Sequence, residues 1–255
     1  MNSIFITGAG AGIGRATAHC FADQGWFVGA ADLDEAALRS LQDELGEARC
    51  SIHVTDVVDP ASVRQSLAGF AARTDGRLDV LHNNAGLLRV GRFEAIHLED
   101  HRQLVDVNLT GLINVLHTAF PYLRDTPGAQ VVNMSSASAI YGTPDFASYS
   151  ATKHAVRAMT EALDIEWEGH DIRVCDLMPP FVNTCMVESN RGASGMFNAM
   201  GVHLTAEDVA KEVWKLTRSA ELHRPITRGM RGLWAVSGAL PALATRRIMK
   251  RLWGR

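Results

Sequence analysis

A buried strand that runs straight into a cluster of glycines constrains this chain more than any other feature. Residues 1 to 15, Met-Asn-Ser-Ile-Phe-Ile-Thr-Gly-Ala-Gly-Ala-Gly-Ile-Gly-Arg, read as a short strand, a glycine turn and the start of a helix. Gly8, Gly12 and Gly14 allow a tight turn and a close approach of backbone to a ligand, and Gly10 lies in the same turn. The N–H groups from Ile13 to Ala16, at the start of the helix, can face a pyrophosphate. The spacing is not the G-x-G-x-x-G form, because Ile13 stands where that form needs a third glycine. Alone, such a turn is either a tight loop or a nucleotide site. A second feature separates the two. Trp26 to Ala31 read as a buried strand ending at Asp32, an acid about 20 residues past the glycines, where a ribose 2′-hydroxyl is gripped. A carboxylate there repels a 2′-phosphate, so the expected cofactor is NAD(H) rather than NADP(H). Arg15 is the competing group, since a guanidinium could reach that phosphate.

Tyr149 and Lys153 are four residues apart in a helical stretch, and Ser136 lies upstream of them. An i, i+4 pair projects from one helix face. An ammonium close to a phenol favours its charged form, which would bring a base that ordinarily titrates near ~10 toward a useful range. The competing reading is a chance surface pair.

Together these pieces resemble the short-chain dehydrogenase/reductase family, from residue 1 to about 184. Thr7, Gly8, Gly12 and Gly14 look like its cofactor turn, and Asp56-Val57 like its adenine-holding pair. Asn83-Asn84-Ala85-Gly86 looks like its Asn-Asn-Ala-Gly stretch, with Asn84, Ala85 and Gly86 beside the cofactor. Asn108, Ser136, Tyr149 and Lys153 match its catalytic set. The resemblance implies hydride transfer between a secondary alcohol or ketone and the nicotinamide. Tyr149 then exchanges the hydroxyl proton, Ser136 holds the substrate oxygen, and Lys153 tunes the tyrosine and binds the nicotinamide ribose. Asn108 is implied to hold a water linked to the lysine. One departure stands out: the family's Pro-Gly before x-Val-x-Thr is here Pro179-Pro180, followed by Val182 and Thr184. Proline fixes φ and lacks an N–H, so carboxamide binding should survive while the backbone near the nicotinamide is aimed differently. The alternatives are an NADPH-dependent 3-oxoacyl-thioester reductase and a dinucleotide-binding regulator without turnover.

Apolar strands alternate with amphipathic helices, which predicts an α/β fold with a parallel sheet covered on both faces. Strands are expected near 2–7, 26–31, 49–54, 78–83, 129–135, 171–177 and 223–228. Helices are expected at 13–24, 34–45, 60–73, 98–124, 148–168 and 205–218. The resemblance implies about seven strands in one doubly wound Rossmann-type domain, and most family members are homodimers or homotetramers through the helices at 98–124 and 148–168. The 255 residues are 47% hydrophobic and 21% charged, ordinary for one globular unit spanning 1–255. Cys20, Cys50, Cys175 and Cys185 lack metal-ligand spacing, and the first three are expected as buried hydrophobes. No metal is expected. With no apolar run of 18 residues and no signal-like start, the expected compartment is the cytoplasm.

Two segments bear on substrate and partners. Residues 185–203 carry Met186, Val187, Met196, Phe197 and Met200 among glycines, which suits an adaptable apolar lid. With Leu87, Leu88 and Val90 at the other rim, this suggests a lipid-, steroid- or aromatic-like substrate; equally, these side chains could close the core or a subunit contact. After Glu221 there is no acid but eight basic residues, while residues 1–221 carry −11, from 17 basic and 28 acidic side chains. Leu243, Ile248, Met249, Leu252 and Trp253 interleave with the charges of 229–255. Such a segment could rest on an anionic membrane or an acidic partner, or pack on the body with a solvated face. Nucleic-acid binding lacks support in this acidic body.

Overall fold

The computed structural model describes residues 1–190, 192–237 and 241–254. Strand β1 (Ser3–Thr7) is buried at every position, and its alternate side chains serve two cores. Ile4 and Ile6 enter one apolar layer, whereas Phe5 enters the other. This is the expected behaviour of a parallel strand covered on both faces.

The chain continues through α1 (Gly12–Ala22), β2 (Phe27–Asp32), α2 (Glu35–Leu45), β3 (Cys50–Val54) and α3 (Pro60–Ala71). It then returns to lay β4 (Val80–Asn83) against the other side of β1. The second half follows with α4 (Leu98–Val105), α5 (Gly111–Arg124), β5 (Gln130–Met134), α6 (Ala147–Trp167) and β6 (Arg173–Met178). A two-residue strand, β7 (Val182–Asn183), leads to the short helices α7 (Cys185–Glu188) and α8 (Met196–Met200). Next come β8 (Leu204–Thr205), α9 (Ala206–Leu216), β9 (His223–Pro225), α10 (Arg228–Ser237) and α11 (Ala242–Leu252). The main sheet has seven parallel strands in the order β3-β2-β1-β4-β5-β6-β9, and β7 pairs with β8 in a small parallel sheet. The expected α/β doubly wound sheet is therefore present, with strand positions within a few residues of the sequence reading.

Local chemistry explains several boundaries. Asp34 caps α2 by accepting from the Ala37 N–H at 3.0 Å, and Asp59 caps α3 ahead of Pro60 by accepting from Ala61 at 2.8 Å. Thr205 and Asp208 form a reciprocal box at the start of α9. Between sheet and helices, Phe5 and Phe70 pack edge to face with centroids 5.3 Å apart. The space they need is left by Gly29 on β2, where a Cβ would overlap the Phe70 ring.

One element differs from expectation. Instead of a single helix over 98–124, Asp106–Thr110 forms a π-helical turn between α4 and α5. Such irregularities are usually a single turn long and frequent at functional sites, and this one contains the buried Asn108. Among the cysteines, Cys50 and Cys175 are buried as expected, Cys20 is half-buried and Cys185 is exposed. No helix among the described residues is long and apolar enough to cross a membrane.

Candidate active site

Strand order reverses where β1 meets β4, because the chain runs outward to β3 before crossing back. A crevice opens at the carboxyl ends of strands at such a point, and a cavity of about 560 Å³ lies there.

Its floor is the glycine turn. Gly8 (φ +68°) and Gly12 (φ +53°) occupy the left-handed region, which favours glycine. A Cβ on Gly8 would sit 2.9 Å from the Ala85 Cα, and one on Gly14 would overlap the Gly8 carbonyl oxygen. The loop after β4 is thereby drawn onto the turn. Thr7 Oγ1 accepts from the N–H groups of Asn84 and Ala85, both at 3.0 Å, while Asn84 Nδ2 donates to the carbonyls of Thr7 and Gly8 at 3.0 and 3.2 Å. Helix α1 starts against the cavity, and its cap residue Ala11 offers no side-chain acceptor. The first N–H groups of a helix lack partners within it, so this N-terminus suits an anion.

Asp32 lines the cavity beside the turn. Its Oδ2 accepts from the Gly10 N–H at 2.8 Å and its Oδ1 from the Asp34 N–H at 3.1 Å. Arg15 points elsewhere: it donates to the Ala37 carbonyl at 3.1 Å and pairs with Glu44 at 2.6 Å. This cradle fits a dinucleotide, with room for backbone approach, donors for phosphate and an acid for ribose.

The reacting groups stand at the end of β5 and on α6. Ser136, Tyr149 and Lys153 all line the cavity. Ser136 caps a short 3-10 turn at Ala137–Ala139, accepting from the Ser138 N–H at 3.1 Å. Lys153 Nζ donates to the Met134 carbonyl at 2.8 Å and lies 5.6 Å from the centroid of the Tyr149 ring. Burial pulls the lysine down to about 8. Tyr149 keeps part of its surface open to the cavity, yet the dense protein around it raises the phenol, and a hydrogen bond with Ser136 opposes that shift. This corrects the sequence expectation. The ammonium donates to the Met134 carbonyl, and burial is the larger influence on the phenol.

Asn108 stands behind the cavity wall. Its Oδ1 accepts from the Leu87 N–H at 2.7 Å, and its Nδ2 donates to the Leu87 carbonyl at 3.0 Å and to Thr152 Oγ1 at 3.3 Å. It fixes the loop after β4 and approaches the lysine around Gly86, where a Cβ would lie 3.2 Å from Asn108 Oδ1 and 3.7 Å from Lys153 Nζ. Asp56 and Val57 are not on the cavity lining. Asp56 Oδ1 turns back to accept from the Val58 N–H at 2.9 Å, and Val57 packs against Gly111, where a Cβ would come within 2.7 Å of it. Of the other anticipated residues, Gly8, Gly12, Ile13, Asn84, Ala85, Gly86, Pro179, Val182 and Thr184 line the cavity, whereas Gly10 and Gly14 shape the turn from behind. Pro180 lines it too, and the neighbouring Pro179 carbonyl accepts from the Ala137 N–H at 2.9 Å.

The roof is where sequence reasoning fell short. Met186, Val187 and Met200 contribute to it from the anticipated lid segment, opposite Leu87 and Leu88. Met230 and Leu233 of α10, and Thr245, Ile248, Met249 and Leu252 of α11, complete it. The basic tail thus packs on the body with its apolar face over the site. Arg255, the last of its basic residues, lies outside the described residues, as do Arg191 in the lid segment and positions 238–240. Asp145, left-handed at φ 67°, ties lid and tail together. Its Oδ2 accepts from Ser194 Oγ and from Trp253 Nε1, each at 2.7 Å.

Comparisons agree with this geometry. The profile described as short chain dehydrogenase matches residues 2–194. A 3-oxoacyl-[acyl-carrier-protein] reductase of Thermotoga maritima is 36% identical over 185 residues, covering 72% of this chain and 75% of that protein. A cyclohexanol dehydrogenase of an Acinetobacter species is 30% identical over 185 residues, covering 71% and 73%. The crystal structure of a short chain dehydrogenase/reductase from Burkholderia phymatum in complex with NAD superposes with a TM-score of 0.81 at 26% identity, covering 92% of each chain. Family match, sheet order and dinucleotide cradle converge: the chain belongs to the short-chain dehydrogenase family and is an NAD(P)-dependent oxidoreductase of CH–OH groups.

Proposed function

We propose that the chain moves a hydride between NAD(H) and a secondary alcohol or ketone with an apolar body, with Tyr149 handling the proton. The observation that carries this reading is the sharing of one cavity by Ser136, Tyr149 and Lys153 with the glycine turn and Asp32, under an apolar roof. The nicotinamide, when bound, supplies or accepts the hydride. The rest falls to the protein. In the reducing direction Tyr149 donates its proton to the substrate carbonyl, and a phenol raised by burial is well stocked with that proton. In the oxidising direction it must first lose it, which the Ser136 hydrogen bond and the nearby Lys153 charge assist. Ser136 steadies charge developing on the substrate oxygen. Asn108 holds the loop after β4 in place and, with Lys153, lies on the path by which a proton would reach solvent. Lys153 and Thr184 hold the nicotinamide side of the cofactor.

NAD is the preferred cofactor: Asp32, tied to the Gly10 N–H beside the glycine turn, would grip the ribose, and Arg15 is engaged by Glu44. The 3-oxoacyl-thioester reading draws on the Thermotoga relative. Asp32 counts against the NADPH form of it. The chain is further proposed to work in the cytoplasm as a homodimer or homotetramer; Ile113 on α5 and Ile165 on α6 are 42% and 76% exposed, as a helical interface requires.

A panel of secondary alcohols, from small polar ones to cyclic and long-chain ones, should be followed by NADH fluorescence with Tyr149→Phe as the blank. Turnover rising with apolar size and vanishing in the variant supports the reading. Equal turnover by the variant, or a preference for small polar alcohols, would sink it.

A further inference from the structure

We propose that the outer face of the C-terminal segment docks on an anionic lipid bilayer and thereby sets the roof of the active-site cavity against the membrane. The notion of an apolar substrate arriving from that membrane rests on the functional reading above; the docking itself does not.

Helix α11 has two chemically opposite sides. Thr245, Ile248, Met249 and Leu252 contribute to the cavity. Leu243, Arg246, Arg247 and Lys250 follow i, i+3, i+4, i+7 spacing and form another face. Leu243 is 70% exposed, and the three cations beside it are exposed as well. Arg251 joins them, and α10 adds the exposed Arg228 and Arg231 with Val236, itself 48% exposed. Among the described residues none of these six cations is in a salt bridge, and the sequence after Glu221 contains no acid. Asp145, the carboxylate that reaches the end of the tail, is turned inward and engaged by Trp253 and Ser194.

Charge alone would suit any polyanion. The exposed Leu243 and Val236 choose among them, because apolar side chains set among cations gain by entering the headgroup boundary of a bilayer. Nucleic-acid phosphates offer them nothing comparable. Residues 1–221 carry −11, but beyond a Debye length of about 8 Å that charge is screened, so the cations nearest the surface dominate. The helix that presents this face is also the wall between apolar cavity and solvent, so docking brings a lipid-dissolved molecule to the site's own roof.

The test is co-sedimentation of the full-length protein with vesicles of phosphatidylcholine, with and without one quarter phosphatidylglycerol, at physiological and at high salt. Pelleting should require phosphatidylglycerol and be lost at high salt. Each cation contributes roughly fivefold to the partition, so Arg246→Gln/Arg247→Gln/Lys250→Gln should weaken it on the order of 100-fold. NADH binding should stay unchanged in that variant, which shows that it is folded. Pelleting with neither vesicle, equal pelleting with both, or undiminished pelleting of the triple variant overturns the proposal. Capture by soluble polyglutamate without vesicle binding also overturns it, in favour of an acidic protein. Sedimentation needs no turnover, so failure of the alcohol assay with intact vesicle binding would count against the substrate reading alone.

Discussion

Replacing Asp32 by Asn should change which cofactor binds without disturbing the fold. The amide oxygen can still accept from the Gly10 N–H, which now donates to Asp32 at 2.8 Å, so the glycine turn keeps its tie to β2. The charge is what disappears. In the native chain both carboxylate oxygens are held by backbone N–H groups, so the side chain cannot swing away from a 2′-phosphate. The nearest candidate counter-ion, Arg15, is occupied by Glu44 at 2.6 Å. Two unit charges ~4 Å apart at an effective dielectric of about 20 repel by about 4 kcal/mol. Asp32 is half-buried and a bound phosphate stays partly hydrated, so about 2–3 kcal/mol is a fairer figure, or roughly 30- to 150-fold in affinity. NADH should lose a charge-assisted hydrogen bond to its ribose and bind roughly 5- to 10-fold more weakly. Equilibrium titration of native and variant protein with NADH and NADPH, read by nicotinamide fluorescence, measures both effects. If the NADPH-to-NADH affinity ratio moves by less than about threefold, Asp32 does not set cofactor choice, and the charge argument is wrong.

Further outcomes follow from other groups. Tyr149→Phe should keep NADH binding and lose turnover by about 10²–10⁴-fold; single-turnover kinetics would refute the assignment if the chemical step were unaffected. Gly14→Ala should abolish NADH binding, because its Cβ would overlap the Gly8 carbonyl oxygen; retained affinity in the titration would show that the turn is not the cradle. Lys153 gives a pH signature. Its value falls from 10.5 to about 8 on burial, so the penalty for its charge is fully present below about pH 8 and is relieved as pH rises toward 10.5. Thermal unfolding of native protein and Lys153→Met should therefore show the native chain gaining on the variant between pH 7 and 10. A gap independent of pH would mean that the ammonium is not desolvated.

Sequence carried the frame and much of the site because the relevant signals are local. Apolar runs broken by turns located the seven strands, and the i, i+4 spacing of Tyr149 and Lys153 did place both on one cavity. What failed was everything set by depth or by distant packing. Residue spacing does not encode how far Tyr149 sits from water, so the direction of its shift came out reversed. Residues 242–252 announced an apolar face, but not that an active site would lie beneath it. The family motif puts Asp56 and Val57 at the adenine; Asp56 Oδ1 accepts from the Val58 N–H, Val57 packs against Gly111, and neither lines the cavity. Asp145 carried no signal at all: a lone acid in a loop reveals neither its left-handed backbone nor the two distant donors it gathers.

The π turn at Asp106–Thr110 has a consequence for anyone altering this scaffold. A regular α-helix rotates about 100° per residue, so the irregular turn sets the phase between α4 and α5. Deleting Val107 to tidy the irregularity would swing one segment about 100° around the other. Leu104, 1% exposed on α4, would then rotate out of the core, or Asn108 would lose Leu87. The chain tolerates a poorer helix here so that two neighbouring helical segments can each point the right way, and a more ideal geometry would make a worse protein.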